Sequence, residues 1–304
     1  MPLVNEVHVD AVLSQFSLGY RNSGYIADLL FPALPVVKES DKYAIFSTEA
    51  YRRHSTLTAD KAPAKRGEFG WTSATYSGQM YKFANAISRR ERENADNFMQ
   101  LQRRTVERTT DTVLLDREMI AAAMAVDDAV FPHDDSPTTK WDAGSGQTPI
   151  KDVLAGKEAF RLQSLGLEPN LMVLPPSVLY ALKSCAAIID QVKYTSDGLV
   201  TLDLLRRLFE MERIIVPRVM YDSTQEGDTA SVRDLWGDTV GLYYLDPQLG
   251  QEIRTMGLAF RSRPMQTRTW QEPEIECDVY EVSMVEDMKV IDANCGYLLL
   301  DVLT

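Results

Sequence analysis

Residues 1–22 mix apolar and polar positions without a sustained period, and read as an extended or partly helical arm. Ser23 suits the N-cap of a short helix through Leu30, which must stop before Pro32. Pro32 and Pro35 interrupt the apolar run from Leu29 to Val37. Each removes a backbone donor and pushes the preceding residue into extended conformation, so the run reads as a strap, neither a helix nor a central strand. After the polar break Glu39-Ser40-Asp41, residues 42–48 alternate, the polar and basic stretch Tyr51 to Arg66 follows, and Trp71 to Tyr76 resumes strand character. This is the pattern of a long hairpin arm. A lone hairpin is marginal in water, so the strap must lie on something and the arm is expected to take its stability from neighbouring chains.

From Gln79 to Phe131 there is neither Gly nor Pro, and the residues after Asn94-Ala95-Asp96 are strong helix formers. With Asp96 as N-cap they predict a helix over about 97–126, about 45 Å long at 1.5 Å per residue, which would be the backbone of a wide, flat domain. Phe98, Leu101, Thr105, Thr112, Leu115, Met119 and Ala122 are expected on its buried side. The preceding Ser88 to Glu93 is dense in charge and reads as a solvated face or as intersubunit ion pairing.

The rest of the chain alternates short helices and strands. Pro132 to Pro137 and Asp142 to Gly146 mark a loop. Thr148-Pro149 opens a helix with Ile150, Val153, Leu154, Ala159, Phe160 and Leu162 as its apolar positions and Gly166 as its stop. Leu171 to Leu174 is a buried strand, Pro175-Pro176-Ser177 opens a helix to about Ser184, and Thr201 caps another through Phe209. Arg213 to Pro217 reads as a strand whose proline favours a sheet edge. Further strands are expected at 239–245, 256–263, 277–291 and 296–303, which makes the class α+β and not a regular βαβ array.

A chain of 304 residues, 45% hydrophobic and 25% charged, has globular composition and room for one large or two ordinary domains. No window approaches the roughly 18 apolar residues of a membrane span, and Met1 to Glu6 lack the regions of a signal peptide, so a soluble product with no membrane partner is expected. Cys185, Cys277 and Cys295 lack CxxC spacing and are expected as reduced thiols, behaving as small hydrophobes. A formal net charge of −12 argues against a dedicated DNA- or RNA-reading domain. The charge is uneven: Arg52, Arg53, His54, Lys61, Lys65 and Arg66 face Asp60 alone, while Asp127, Asp128, Asp134, Asp135 and the segment Glu272 to Asp292 are acidic. Such a division suits contact between unlike surfaces of identical subunits, or two solvated faces.

Catalytic chemistry is thin. His8, His54 and His133 are the three histidines, and no HExxH, GxSxG, GxxxxGK[ST] or GxGxxG motif occurs. A Cys185–His133 dyad has only generic spacing. The acidic loop 127–135 is the best metal candidate but lacks the Gly and Glu placement of a calcium loop and reads as solvated. No catalytic residue, cofactor or metal site is therefore assigned, and no enzyme is expected. The candidate intersubunit contacts are Arg52, Arg53, Lys61, Lys65, Arg66, Arg89, Arg90, Glu91 and Arg92.

Five stretches occur in a telling order: Leu30 to Val36 followed by Asp41-Lys42-Tyr43; Arg90 to Asp96 before a long helix; Val173 to Val178 before a helix; Trp236-Gly237-Asp238 before an apolar strand; and Val290 to Leu298 near the end. Together they resemble the tailed-phage major capsid proteins of the Hong Kong 97-like fold, from about Leu30 onward. The resemblance implies an N-terminal arm over 1–35, an extended hairpin loop over 36–90, a peripheral domain with a long spine helix over 91–149 and 276–304, and an axial domain over 150–275. It implies a shell protein that self-assembles as hexamers and pentamers into an icosahedral head, enclosing double-stranded DNA without sequence-specific binding. A portal, a decoration protein and a separate scaffolding protein are implied partners, since the strap begins too early for a fused scaffold. The expected location is the virion, assembled in the host cytoplasm. Some relatives crosslink a hairpin lysine to an asparagine; Lys61 or Lys65 with Asn294 are the formal analogues, but noncovalent contact is expected. The alternatives are an encapsulin-like nanocompartment shell and a metal-dependent enzyme using loop 127–135.

Overall fold

The computed structural model describes residues 8–9, 13–14, 17, 24–45, 53, 56–58, 66, 72–95, 98–134, 137–192, 200–224, 229–248 and 254–304. The strands are β1 (His8–Val9), β2 (Ala33–Pro35), β3 (Ser40–Ile45), β4 (Thr72–Ser77), β5 (Gln79–Ser88), β6 (His133–Asp134), β7 (Leu171–Val173), β8 (Arg213–Ile215), β9 (Met220–Asp222), β10 (Val232–Asp234), β11 (Val240–Tyr243), β12 (Gly257–Glu272), β13 (Cys277–Val290) and β14 (Gly296–Leu299). The helices are α1 (Ala27–Leu30), α2 (Arg89–Asn94), α3 (Phe98–Ala125), α4 (Pro149–Gln163), α5 (Pro176–Ser184), α6 (Ala186–Val192) and α7 (Leu202–Leu208).

The α+β class holds. A long sheet runs β1-β12-β13-β5, with β2 also paired to β12, and a second sheet runs β6-β14-β11-β7-β8. The strand expected over 256–263 extends to Glu272, because β13 pairs with it along its length through register shifts at Arg261, Arg263 and Gln266. Pro217 follows a strand that is indeed at the edge of its sheet. Helix α6 and the β9–β10 hairpin have no counterpart in the sequence reading. Gly166 closes the helical run at α4 with φ +96°, its amide N–H donating to the Arg161 carbonyl at 2.9 Å.

Helix α3 spans 28 residues, as the absence of Gly and Pro foretold, but its buried face is not the expected one. Thr112 and Met119 are exposed, while Val106, Thr109, Thr110, Val113, Arg117, Glu118, Ala121, Ala122 and Ala125 are buried. Counting apolar positions failed because the buried stripe is part polar. The Thr109 and Thr110 hydroxyls donate to the carbonyls of Thr105 and Val106 at 2.7 Å, and Arg117 and Glu118 find partners far away in sequence. Towards its N-terminus α3 packs on β5 and β13 through Val106, Val113, Tyr280, Val282 and Met284. Towards its C-terminus it enters the core shared with the second sheet.

On α4, Leu154 and Leu162 are exposed at 43% and 64%, against expectation. Val153, Gly156 and Phe160 are the residues turned inward, because the helix needs a small residue to approach Leu242, Tyr297 and Leu299. The hydrophobic core around α4, α5 and α7 forms a separate cluster with Trp141, Val178, Leu182, Cys185 and Phe209 at its centre.

Candidate assembly interface

The strap does lie on something, and that support is its own chain. Leu30 and Phe31 are fully buried, β2 runs parallel to residues 259–261 of β12, and the Val36 amide donates to the Arg261 carbonyl at 3.0 Å. The hairpin stem β3–β4 is likewise held in place: Tyr76 stacks on Phe260 with centroids 4.5 Å apart, Tyr43 lies 5.1 Å from the same ring, and Leu258 and Ile291 complete the cluster.

Four of the five stretches that carried the resemblance meet in one core, which holds Leu30, Phe31, Val173, Trp236, Cys295 and Leu298 together with Ala121 and Ala125 of α3. Its polar centre is Glu118. The carboxylate accepts the amides of Ile26 and Ala27, at 3.0 Å and 2.8 Å, and the Trp236 indole N–H at 3.2 Å. Helix α1 is therefore capped by a side chain of the spine helix; the proposed cap Ser23 lies outside the described residues, and Ile26 occupies the N-cap position. Burial pushes the Glu118 carboxyl above its ordinary pKa, against the opposing pull of these donors.

Beside it lies an ionic cluster. Arg117 bonds Glu286 through Nε and Asp28 through a terminal nitrogen at 2.8 Å, and Arg261 holds the other Glu286 oxygen at 2.8 Å. Burial opposes the Arg117 charge, but Glu286 and Asp28 outweigh it and raise its pKa. Past the irregularity in β12, Arg263 pairs with Glu39 at 3.0 Å, and the Glu39 carbonyl accepts the Gly78 amide at 2.7 Å. Strap, spine and hairpin base thus converge on one stretch of β12.

Of the candidate contact residues, Arg52, Lys61 and Lys65 lie outside the described residues, and Arg53 and Arg66 are exposed. Helix α2 carries the others. Ser88 and Glu91 form a reciprocal capping box, Arg89 pairs with Glu93 at 2.8 Å, and Arg92 pairs with Asp278 at 2.8 Å. Arg90 is exposed. Much of the acidic segment 272–292 is engaged inside the chain as well, through Glu286 and through Asp292 with Arg254 at 2.9 Å. The capping box and the Arg89–Glu93 pair are local, whereas the pairings of Arg92, Glu286 and Asp292 were invisible in the sequence because each partner is remote.

Cys185 and His133 are not brought together: the Cys185 thiol contacts Gln147 Oε1 at 3.3 Å, while His133 Nδ1 lies 3.1 Å from the Phe131 carbonyl. His133 and Asp134 form β6, paired to β14, and Asp135 lies outside the described residues. Among the described residues no group of three or more His, Cys, Asp or Glu could hold a metal ion. Among them, too, no helix is long and apolar enough to cross a membrane. Asn294, the formal crosslink partner, donates its side-chain amide to Asp292 at 3.1 Å.

A spine helix laid across a long hairpin sheet, a strap clamped under it and a second sheet-and-helix layer define a shell-forming capsid fold. The phage-related protein from Bordetella bronchiseptica superposes with a TM-score of 0.78 at 28% identity, over 97% of each chain. The capsid structure of cyanophage P-SCSP1u, at 11% identity and TM-score 0.59 over 92% of this chain and 89% of that one, shares the fold. No protein-family model matches. In sequence the chain is 30% identical over 254 residues to the major capsid protein of Burkholderia phage BcepMu, covering 81% of this chain and 80% of that protein. The chain belongs to the major capsid proteins of bacteriophages, and its function is to build the shell of the virion. These relatives speak for a phage shell over a nanocompartment or a metal enzyme.

Proposed function

We propose that the chain tiles an icosahedral head as hexamers and pentamers around double-stranded DNA, with no catalytic role. The division into arm 1–35, hairpin loop 36–90, peripheral domain 91–149 with 276–304, and axial domain 150–275 belongs to this reading; residues 79–88 serve both the loop and the long sheet. Assembly takes place in the host cytoplasm, with a separate scaffolding protein, a portal and a decoration protein as partners. The hairpin tip, with Arg52, Arg53, Lys61, Lys65 and Arg66, fastens noncovalently onto an acidic surface of an adjacent subunit.

The observation that carries the reading is that strap and stem are docked in place while Arg53, Leu57 and Arg66 of the tip are exposed, Leu57 at 86%. A fixed base presents the uncovered tip to a neighbour without the cost of ordering the stem on association. Charge reversal at Arg52 and Arg53 is expected to give soluble subunits that fail to assemble, seen by negative-stain microscopy. Normal shells from that double variant would remove the fastener role.

A further inference from the structure

Among the described residues, the β5 edge of the long sheet is open. Strand β5 is bonded to β13 without a register shift from Gln79 to Ser88, and no described residue pairs with its other side. The opposite edge of the sheet is covered by β1 and β2 along β12. Lys82 to Ala86 are all exposed, Phe83 at 46%. An edge ten residues long, free of proline and of bulges, is a ready template for another strand.

The geometry points to a second copy of β5, paired antiparallel about a two-fold axis through Ala84, as the occupant of this edge. The proposal rests on the shell-building function and names one contact within it. The Ala86 amide turns to Asn85 Oδ1 at 3.0 Å and the Ser88 amide to Glu91 Oε2 at 2.9 Å. The even-numbered residues are therefore those whose backbone groups point away from β13. In a two-fold pair, opposed residues share a face, so the axis must pass through a residue position. An axis through Lys82 would oppose two lysines, and one through Phe83 would set them diagonally across the axis. An axis through Asn85 would oppose Lys82 to Ser88, whose amide the capping box holds. An axis through Ala84 lets the pair stop at Lys82 and Ala86, short of Ser88, and needs only the exposed Ala86 amide to leave Asn85 Oδ1. Through Ala84, alanine faces alanine, Lys82 faces Ala86 of the second copy, and Phe83 faces Asn85, with no like charges opposed. Lys82 keeps its own partner, Glu281, at 3.9 Å on β13. Helix α3 leaves room, because Phe83 and Asn85 are exposed on the helix side of the strand.

Two experiments on the full chain test this. In assembled shells of Ala84→Cys, mild oxidation should yield a disulfide-linked dimer on non-reducing electrophoresis, because opposed residues in such a pair have Cα atoms about 5.5 Å apart, within disulfide reach. Ala86→Cys should not, and the unaltered chain, with Cys185 and Cys295 buried, sets the background. Ala84→Lys and Ala84→Glu, each alone, should lower shell yield severalfold, and mixing the two should restore it. Shells of Ala84→Cys without the dimer, an equally strong dimer from Ala86→Cys, or full yield from both charged variants would overturn the pairing. If the charged variants fail to fold by circular dichroism, the cysteine result decides. No shells or capsomers from the unaltered chain would instead overturn the proposed self-assembly, and the pairing with it.

Discussion

Phe31 is the anchor of the strap, and its socket is shaped by the absence of a side chain at Gly257. A Cβ at Gly257 would lie 2.4 Å and 2.5 Å from Phe31 Cε1 and Cδ1, and 3.1 Å from the Lys289 carbonyl. The ring, fully buried among Leu30, Ala121 and Met256, must then shift against a packed core. Phe31→Ala should cost about 3–5 kcal/mol, from lost transfer energy plus the cavity left behind. Gly257→Ala should cost about 1–3 kcal/mol, the range for overpacking. In the double variant the new methyl enters the space the ring vacated, so the costs should fall short of their sum by about 1–2 kcal/mol. Urea unfolding of unassembled subunits, followed by tryptophan fluorescence, gives the four free energies of this cycle. Trp236 sits in the same core and reports on it directly. Additivity to within about 0.5 kcal/mol would show that Phe31 and Gly257 do not meet, and would refute the docking of the strap.

Three other outcomes are expected. Because the folded Glu118 carboxyl titrates above its ordinary value, the folded state holds the extra proton in that window. Its stability contribution is full below the ordinary glutamate value and is lost as pH rises through the raised one; Glu118→Gln should abolish that part of the pH–stability curve, and an unchanged curve would contradict the assignment. Arg117→Leu should cost about 3–5 kcal/mol by leaving Glu286 buried with one partner, measured by urea unfolding; a loss under about 1 kcal/mol would mean that Arg261 alone suffices. Ser88→Ala should weaken α2 by about 1 kcal/mol, read as faster hydrogen exchange over 89–94, and unchanged exchange would show the capping box to be idle.

What the sequence by itself determined was the punctuation of the fold and the family it resembles. Pro32 and Pro35 forbade a helix, the stretch without Gly or Pro marked the spine, Thr201 capped its helix at the Leu204 amide, and Pro217 lay at a sheet edge. These signals act through the backbone of a residue and its nearest neighbours, so they are legible locally. Only the tertiary structure decided which face of the spine is buried, that Glu118 caps a helix 92 positions away, and that Arg117 meets Glu286 across 169. It likewise decided that the strap and stem dock on their own chain and that Arg92 is engaged within it by Asp278. A buried charge is tolerable only beside its partner, and partners so far apart in sequence come together only when the sheet, helix and strap are packed.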